Sequence, residues 1–304
     1  MTRPCLGPLP PPRESGESFP AGACDAHAHV FGPYDRFPLA AGRSYTPPVA
    51  TPEQFIAHLD AFGLQRGVLV TASVYGTDNR ALVDALRRYP ARLRGVAVVD
   101  AHATDRILDD LSEAGVCAAR FYVQRDGAAP RYRNPAGLAA LRALAPALTA
   151  RGWHAQIHIG AADFVVLAPA LRALGIPLVF DHMAGAASGT LGGADALAAR
   201  ERLLPMLAEG VAWVKISGAD RLGVSPGMSP GAPPYADLDA GVAAFLDANA
   251  SRVVWGSDWP HVDYVDQVPD DVHLVACMTR WLPPGALRQR VLVDNPAQLY
   301  GFAD

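Results

Sequence analysis

Residues 153–181 read WHAQIHIGAADFVVLAPALRALGIPLVFD. Successive side chains of a strand point to opposite faces, so a strand over Trp153 to Ile159 puts His154, Gln156 and His158 on one face. Asp163 to Leu174 carries apolar residues at helical spacing and predicts a helix. Pro177 to Asp181 is a short apolar run and predicts a second strand. Strand, helix and strand in so short a stretch imply parallel strands joined by a right-handed crossover.

The same rhythm continues on both sides. Upstream, a first strand near Ala23 to Phe31 precedes a Gly/Pro-rich loop over 32–50 and a helix near Pro52 to Phe62. Gly67 to Thr71 then predicts a strand and Asn79 to Tyr89 an amphipathic helix. Leu93 to Val99 and Val116 to Val123 predict strands. Helices are expected over Thr104 to Glu113 and Pro135 to Ala150, the second with proline at its favoured first position. Downstream, helices over Asp195 to Glu209, Asp237 to Ala248 and Asp271 to Trp281 alternate with strands over Val211 to Ile216 and Arg252 to Trp255. Eight strand–helix units predict a (β/α)8 barrel over residues 23–304, preceded by a proline-rich arm over 1–22. A doubly wound open sheet uses the same units, but no G-x-G-x-x-G follows the first strand.

The chain has 304 residues, is 50% hydrophobic, and carries a formal net charge of −4. No run of Lys or Arg stands out, which argues against nucleic acid as a partner. Lys215 is the single lysine among 26 basic residues, so any functional arginine must be argued from its position. Cys5, Cys24, Cys117 and Cys277 are scattered and form no C-x-x-C pair. The arm lacks the apolar core of a secretory signal, and no run reaches membrane-span length. These features predict a cytoplasmic protein with no membrane partner.

In a (β/α)8 barrel the chemistry sits at the C-terminal strand ends. There the chain places His27 and His29 on strand 1, Ser73 after strand 2, Arg120 on strand 4 and His158 on strand 5. Asp181-His182-Met183 ends strand 6, and Lys215 with Arg221 follows on strand 7. Trp255-Gly256-Ser257-Asp258-Trp259-Pro260-His261 ends strand 8. Asp25, His27 and His29 share one face of an apolar strand, where buried polar groups need partners. Asp25 is a candidate to orient a histidine. Arg125, Arg131 and Arg133, after strand 4, suit either substrate anions or a solvated loop face. His58, His102 and His273 fall in helices or connections and receive no role.

The Asp-x-His-x-His opening, Asp181-His182-Met183, Trp255 to His261 and Asn295 to Gly301 together resemble the amidohydrolase superfamily over roughly residues 23–302. Within it, the Ser73 to Asn79 segment and the Asp-His-Met turn are similar to the 2-pyrone-4,6-dicarboxylate lactonase-like branch. The resemblance implies a hydrolase that opens the ring of an anionic lactone, a carboxylic ester. It implies Asp258 as the base that activates water, and His27, His29 and His182 as groups that hold or polarise the carbonyl. It further implies substrate contacts from Tyr45, Ser73, Arg120 and Arg221, to which Arg125 and His158 are added. The branch's dicarboxylate lactonase carries an arginine shortly after Asp-His-Met. Ala184 to Gly189 here contains none, so one carboxylate clamp is missing.

A lactone is an activated ester, so a base and oxyanion donors suffice and no cofactor is required on this reading. The alternative is one Zn2+ held by His27, His29, His158 and Asp258. Two metals are excluded, because no lysine stands at the end of strand 4. A zinc-dependent decarboxylase of an aromatic or muconate-type acid would use the same residues. A non-catalytic binding barrel would need neither Asp258 nor an open site.

Overall fold

The computed structural model describes residues 3–11, 18–125, 136–223 and 232–303. Eight strands form one parallel sheet in sequence order: β1 (Cys24–Ala28), β2 (Arg66–Val70), β3 (Leu93–Ala97), β4 (Val116–Tyr122), β5 (His154–His158), β6 (Leu178–Phe180), β7 (Ala212–Ile216) and β8 (Val253–Trp255). Just past β8 the ring closes: Ala28 bridges Trp259 in parallel register, and His29 N–H donates to the Trp259 carbonyl at 2.8 Å. The expected (β/α)8 barrel is the observed architecture.

The helices outside the barrel are α1 (Pro52–Phe62), α2 (Arg80–Arg88), α3 (Asp105–Glu113), α4 (Leu138–Ala150), α5 (Ala161–Arg172), α6 (Gly189–Ala208), α7 (Asp239–Asn249) and α8 (Asp271–Trp281). Local chemistry explains the ends of α1. Thr51 and Gln54 form a reciprocal capping box, Pro52 opens the first turn, and Gly63 closes it at φ 71°. Thr104 caps α3 from outside rather than beginning it. The expected first helical proline of α4, Pro135, lies outside the described residues, as do Arg131 and Arg133. The helix begins at Leu138, after Gly137.

Two packed layers result. Apolar faces of helices and strands make the outer core, which includes Phe55, Leu141, Phe164 and Phe245. Inside the barrel, Val68, Val96, Ala118, Val179 and Val254 pack on Tyr300 and Phe302, which seal the N-terminal end. The interior is therefore filled from below, and the barrel opens at the opposite mouth. The first described residues of the arm lie at that mouth, while Ser18 to Gly22 lie at the other end, against Arg288 and Gln65. Arg3–Pro4 pairs with Tyr45–Thr46, and Leu6 N–H donates to the Tyr264 carbonyl at 2.8 Å.

Candidate active site

Strands β1 and β8 meet unusually closely. A Cβ on Gly256 would lie 2.6 Å from the His27 Cβ and 2.7 Å from its backbone nitrogen, so only glycine permits the approach. Asp25 clamps the junction. Its carboxylate accepts from the backbone N–H groups of His27 (3.1 Å) and Ser257 (2.9 Å) and from the Ser257 hydroxyl. Asp25 thus acts on the histidine's backbone and not on its ring, which corrects the expected mode of orientation.

Asp258 follows in a left-handed conformation, φ 66°, that a non-glycine residue seldom adopts. Its Oδ1 lies 3.5 Å from His29 Nε2, 3.6 Å from His27 Nε2 and 4.0 Å from His182 Nε2. Its Oδ2 accepts from Arg221 Nε at 2.8 Å. Burial pushes the Asp258 carboxyl up, but Arg221 and the surrounding imidazoles outweigh it and hold the group well below the usual carboxylate range. One oxygen is therefore tied to a guanidinium, and the other, ionised, stands among three ring edges.

His182 reaches this point through a turn that helical or strand periodicity cannot predict. His182, Met183 and Ala184 are all left-handed, with φ 48°, 56° and 51°. Each costs roughly 1–2 kcal/mol, a strain that concentrates at functional sites. Gly218, itself at φ 67°, leaves space for the ring: a Cβ there would lie 2.8 Å from His182 Nδ1. That nitrogen pairs with Ser217 Oγ at 3.0 Å.

Beneath the imidazoles lies a buried charged floor. Asp181 Oδ2 accepts from Arg120 Nε at 2.8 Å. Burial raises the Asp181 carboxyl, yet the charges of Arg120 and Lys215 hold it well below its ordinary value. Lys215 is fully buried and donates to the Ala26 carbonyl (2.9 Å) and to Gln156 Oε1 (2.7 Å). Burial pushes its ammonium down to about 8, still protonated at neutral pH. Burial also holds His27 well below its ordinary value against the pull of Asp181, so that ring is neutral and carries a single proton.

The donor set was tested against a bound metal. By distance, His27, His29 and Asp258 would serve, since their ligand atoms lie within 4.8 Å of one another. His29 also suits an ion by protonation: its Nδ1–H donates to the Val70 carbonyl at 2.7 Å, which leaves a lone pair on Nε2. That bond turns Nδ1 toward Val70 and Nε2 toward Asp258 and the cavity. At His27 Nδ1 two neighbours oppose each other: Asp181 Oδ1, at 3.2 Å, would leave a lone pair on Nε2 for an ion, and the Lys215 ammonium, at 3.3 Å, would put the ring proton there. The fourth expected ligand, His158, stands outside the cluster, with its Nδ1 3.4 Å from Arg120 Nη2. Three of the four candidate ligands therefore stand together, and the tautomer of His27 decides whether they fit a metal.

Above these groups opens a cavity of about 130 Å³. It is lined by His29, Tyr45, Ser73, Arg120, His158, His182, Arg221 and Asp258, so residues from seven loops or strands that the sequence singled out meet in one place. His27 lies just below. Arg125 is not among the lining residues; it pairs with Asp163 at 3.1 Å on the surface, which corrects its expected role at the substrate. Among the other lining residues, two carry polar side chains without an assigned role, Tyr122 and Asp181. Tyr122 stands two positions after Arg120 on β4, so strand alternation would have found it.

His261 ends the strand-8 motif but turns away from the cavity. It is fully buried, and its Nε2 pairs with Asp271 Oδ1 at 2.9 Å at the start of α8. Burial lowers its affinity for a proton, but Asp271 outweighs this and raises the group to about 9. A raised folded-state value means that the proton stabilises the fold. Its contribution is complete below the ordinary histidine value near 6.5 and disappears as pH rises through about 9. Denaturant unfolding of wild type and His261→Gln should therefore differ most at pH 6, on the order of 3 kcal/mol. The difference should vanish toward pH 10, and a gap that does not narrow with rising pH contradicts the assignment.

A closed parallel barrel with clustered imidazoles and an aspartate at its C-terminal mouth defines the class, a barrel hydrolase. The chain belongs to the amidohydrolase family, whose model matches residues 24–302. It is 36% identical over 283 residues to 2-pyrone-4,6-dicarboxylate hydrolase of Comamonas testosteroni, covering 92% of this chain and 90% of that one. It is 32% identical to 4-sulfomuconolactone hydrolase of Rhizobium radiobacter, covering 98% and 96%. The crystal structure of a Pseudomonas putida protein assigned as a 2-pyrone-4,6-dicarboxylic acid hydrolase superposes with a TM-score of 0.75 at 31% identity, covering 93% and 98%. Among the described residues no helix is long and apolar enough to cross a membrane.

Proposed function

We propose that this enzyme hydrolyses the ring ester of an anionic lactone by attack of a water held at Asp258 Oδ1. The observation that carries this reading is that oxygen: ionised, ringed by three imidazoles, on the floor of a cavity with Arg120 and Arg221 in its wall. Water attacks the carbonyl carbon and passes a proton to Asp258. The oxyanion is met by imidazole N–H groups, with Arg120 close by. The ring C–O bond then breaks, and the leaving oxygen takes the proton from Asp258, giving a hydroxy acid and the restored carboxylate. The dicarboxylate and sulfo groups in the relatives' names support an anionic substrate, which Arg120 and Arg221 would bind. Four free cysteines agree with a reducing, cytoplasmic setting. The test is turnover of a panel of carboxylated, sulfonated and neutral lactones. Hydrolysis of none of them refutes the reading.

The reaction is proposed to need no metal, because the ester is activated and the site supplies its own base and donors. Protein stripped by a strong chelator to far below stoichiometric metal should keep its turnover. If activity vanishes and returns in proportion to added Zn2+, the metal-free route is wrong and the zinc-dependent decarboxylase becomes the better reading.

A further inference from the structure

We propose that Lys215 is a positioning residue that sets the tautomer of His27. It donates to Nδ1, keeps the ring proton on Nε2, and so makes His27 a hydrogen-bond donor in the site and not a metal ligand. The inference rests on the lactonase reading for its catalytic consequence only.

Three observations carry it. First, His27 Nδ1 has two neighbours that demand opposite tautomers. Asp181 Oδ1, at 3.2 Å, would take a proton from Nδ1; the Lys215 ammonium, at 3.3 Å, would give one to it. Second, hydrogen-bond geometry chooses between them. The Lys215 contact meets it, whereas the Asp181 Oδ1 contact, though shorter and electrostatically favourable as a hydrogen bond, is misaligned and leaves that oxygen without a partner. A neutral ring that accepts at Nδ1 carries its proton at Nε2. Third, His27 Nε2 is itself buried with no hydrogen-bond partner, 3.6 Å from Asp258 Oδ1. A donor left unsatisfied where the reacting group must sit is a poised donor, whose partner arrives with the substrate.

The lysine is held for this task. Two of its three protons go to the Ala26 carbonyl and Gln156 Oε1, which leaves the third for His27. In a chain whose other basic residues are all arginine, the one lysine is fully buried inside the barrel, where its compact ammonium reaches β1 and β5. Its positive charge also opposes a divalent ion on the far side of the same ring.

The test begins with wild-type protein carrying 15N-labelled histidine, whose ring nitrogen shifts report the His27 tautomer without any substitution. The Nε2-protonated form is expected, and the Nδ1-protonated form would overturn the proposal. In Lys215→Met the ring should change to the Nδ1–H form, paired with Asp181. That variant should bind Co2+ at least about tenfold more tightly than wild type by titration, because His27 now offers a lone pair. Its kcat should fall by about 10²-fold with KM nearly unchanged, the loss of one oxyanion donor. An unchanged tautomer and unchanged Co2+ affinity in Lys215→Met refute the role. If Lys215→Met does not fold, Gln156→Leu removes the acceptor that steers the ammonium and should produce the same shifts in smaller measure. Expected tautomer and metal results in a protein that opens no lactone would refute the proposed function and leave the assignment of the proton standing.

Discussion

Asp258→Asn is expected to lower lactone turnover by at least about 10²-fold, with the fold retained. Asparagine keeps the shape of the side chain and still offers an oxygen to Arg221, but it cannot take a proton from water. The arrangement around the carboxylate makes the outcome specific. Oδ2 is committed to Arg221, so Oδ1 is the oxygen that faces the imidazoles and the cavity. Asp181 also lines the cavity, but Arg120 engages it and Lys215 lies 3.7 Å away. Substrate binding should change little, since the charge lost is that of the base and not of a clamp. The loss should therefore fall on kcat. Steady-state kinetics of the variant, with its thermal unfolding as a check on folding, measure this. Near-normal turnover would remove Asp258 from the mechanism.

Arg120→Met is expected to lower kcat/KM for anionic lactones by roughly 10- to 1,000-fold, while neutral lactones are turned over as by wild type. Arg120 reaches the cavity wall from β4 and is only 4% exposed, so its charge acts with little screening by water. The structure adds a second consequence. Nε of Arg120 is bound to Asp181, so methionine also strands a buried carboxylate, and a stability loss of about 3–5 kcal/mol should accompany the kinetic effect. Arg120→Lys separates the two effects. A lysine restores the charge without the planar fork, so stability should recover more than kcat/KM does. Equal losses on neutral and anionic lactones would mean that Arg120 maintains the floor of the site and does not read the substrate.

The barrel and the residues at its mouth were legible in the sequence because both depend on short-range rules. Period-two alternation placed His27 with His29, and Arg120 with its unnoticed neighbour Tyr122, on inward faces. Strand–helix repetition then told which strand ends share a mouth. Loop geometry was not legible. The left-handed run at His182 to Ala184 follows no periodic pattern, and the turn after β8 sends Asp258 into the site but His261 away to Asp271. For Arg125 the sequence left substrate anions and a solvated loop face both open; it lies beyond the strand end and pairs with Asp163.

By itself, then, the sequence determined eight strand–helix units, the end of the barrel that is open, and the imidazoles, carboxylate and guanidiniums that gather there. Only the tertiary structure decided what those groups do to one another. Arg120 meets Asp181 across 61 residues of chain and Lys215 meets His27 across 188. Contacts over such separations are set by the stagger of the closed sheet, which no local pattern encodes. That stagger binds one oxygen of Asp258 to Arg221 and leaves the other for chemistry. It also puts an ammonium and a carboxylate behind His27 and a carbonyl behind His29, so two histidines close in the sequence have different partners on their far sides.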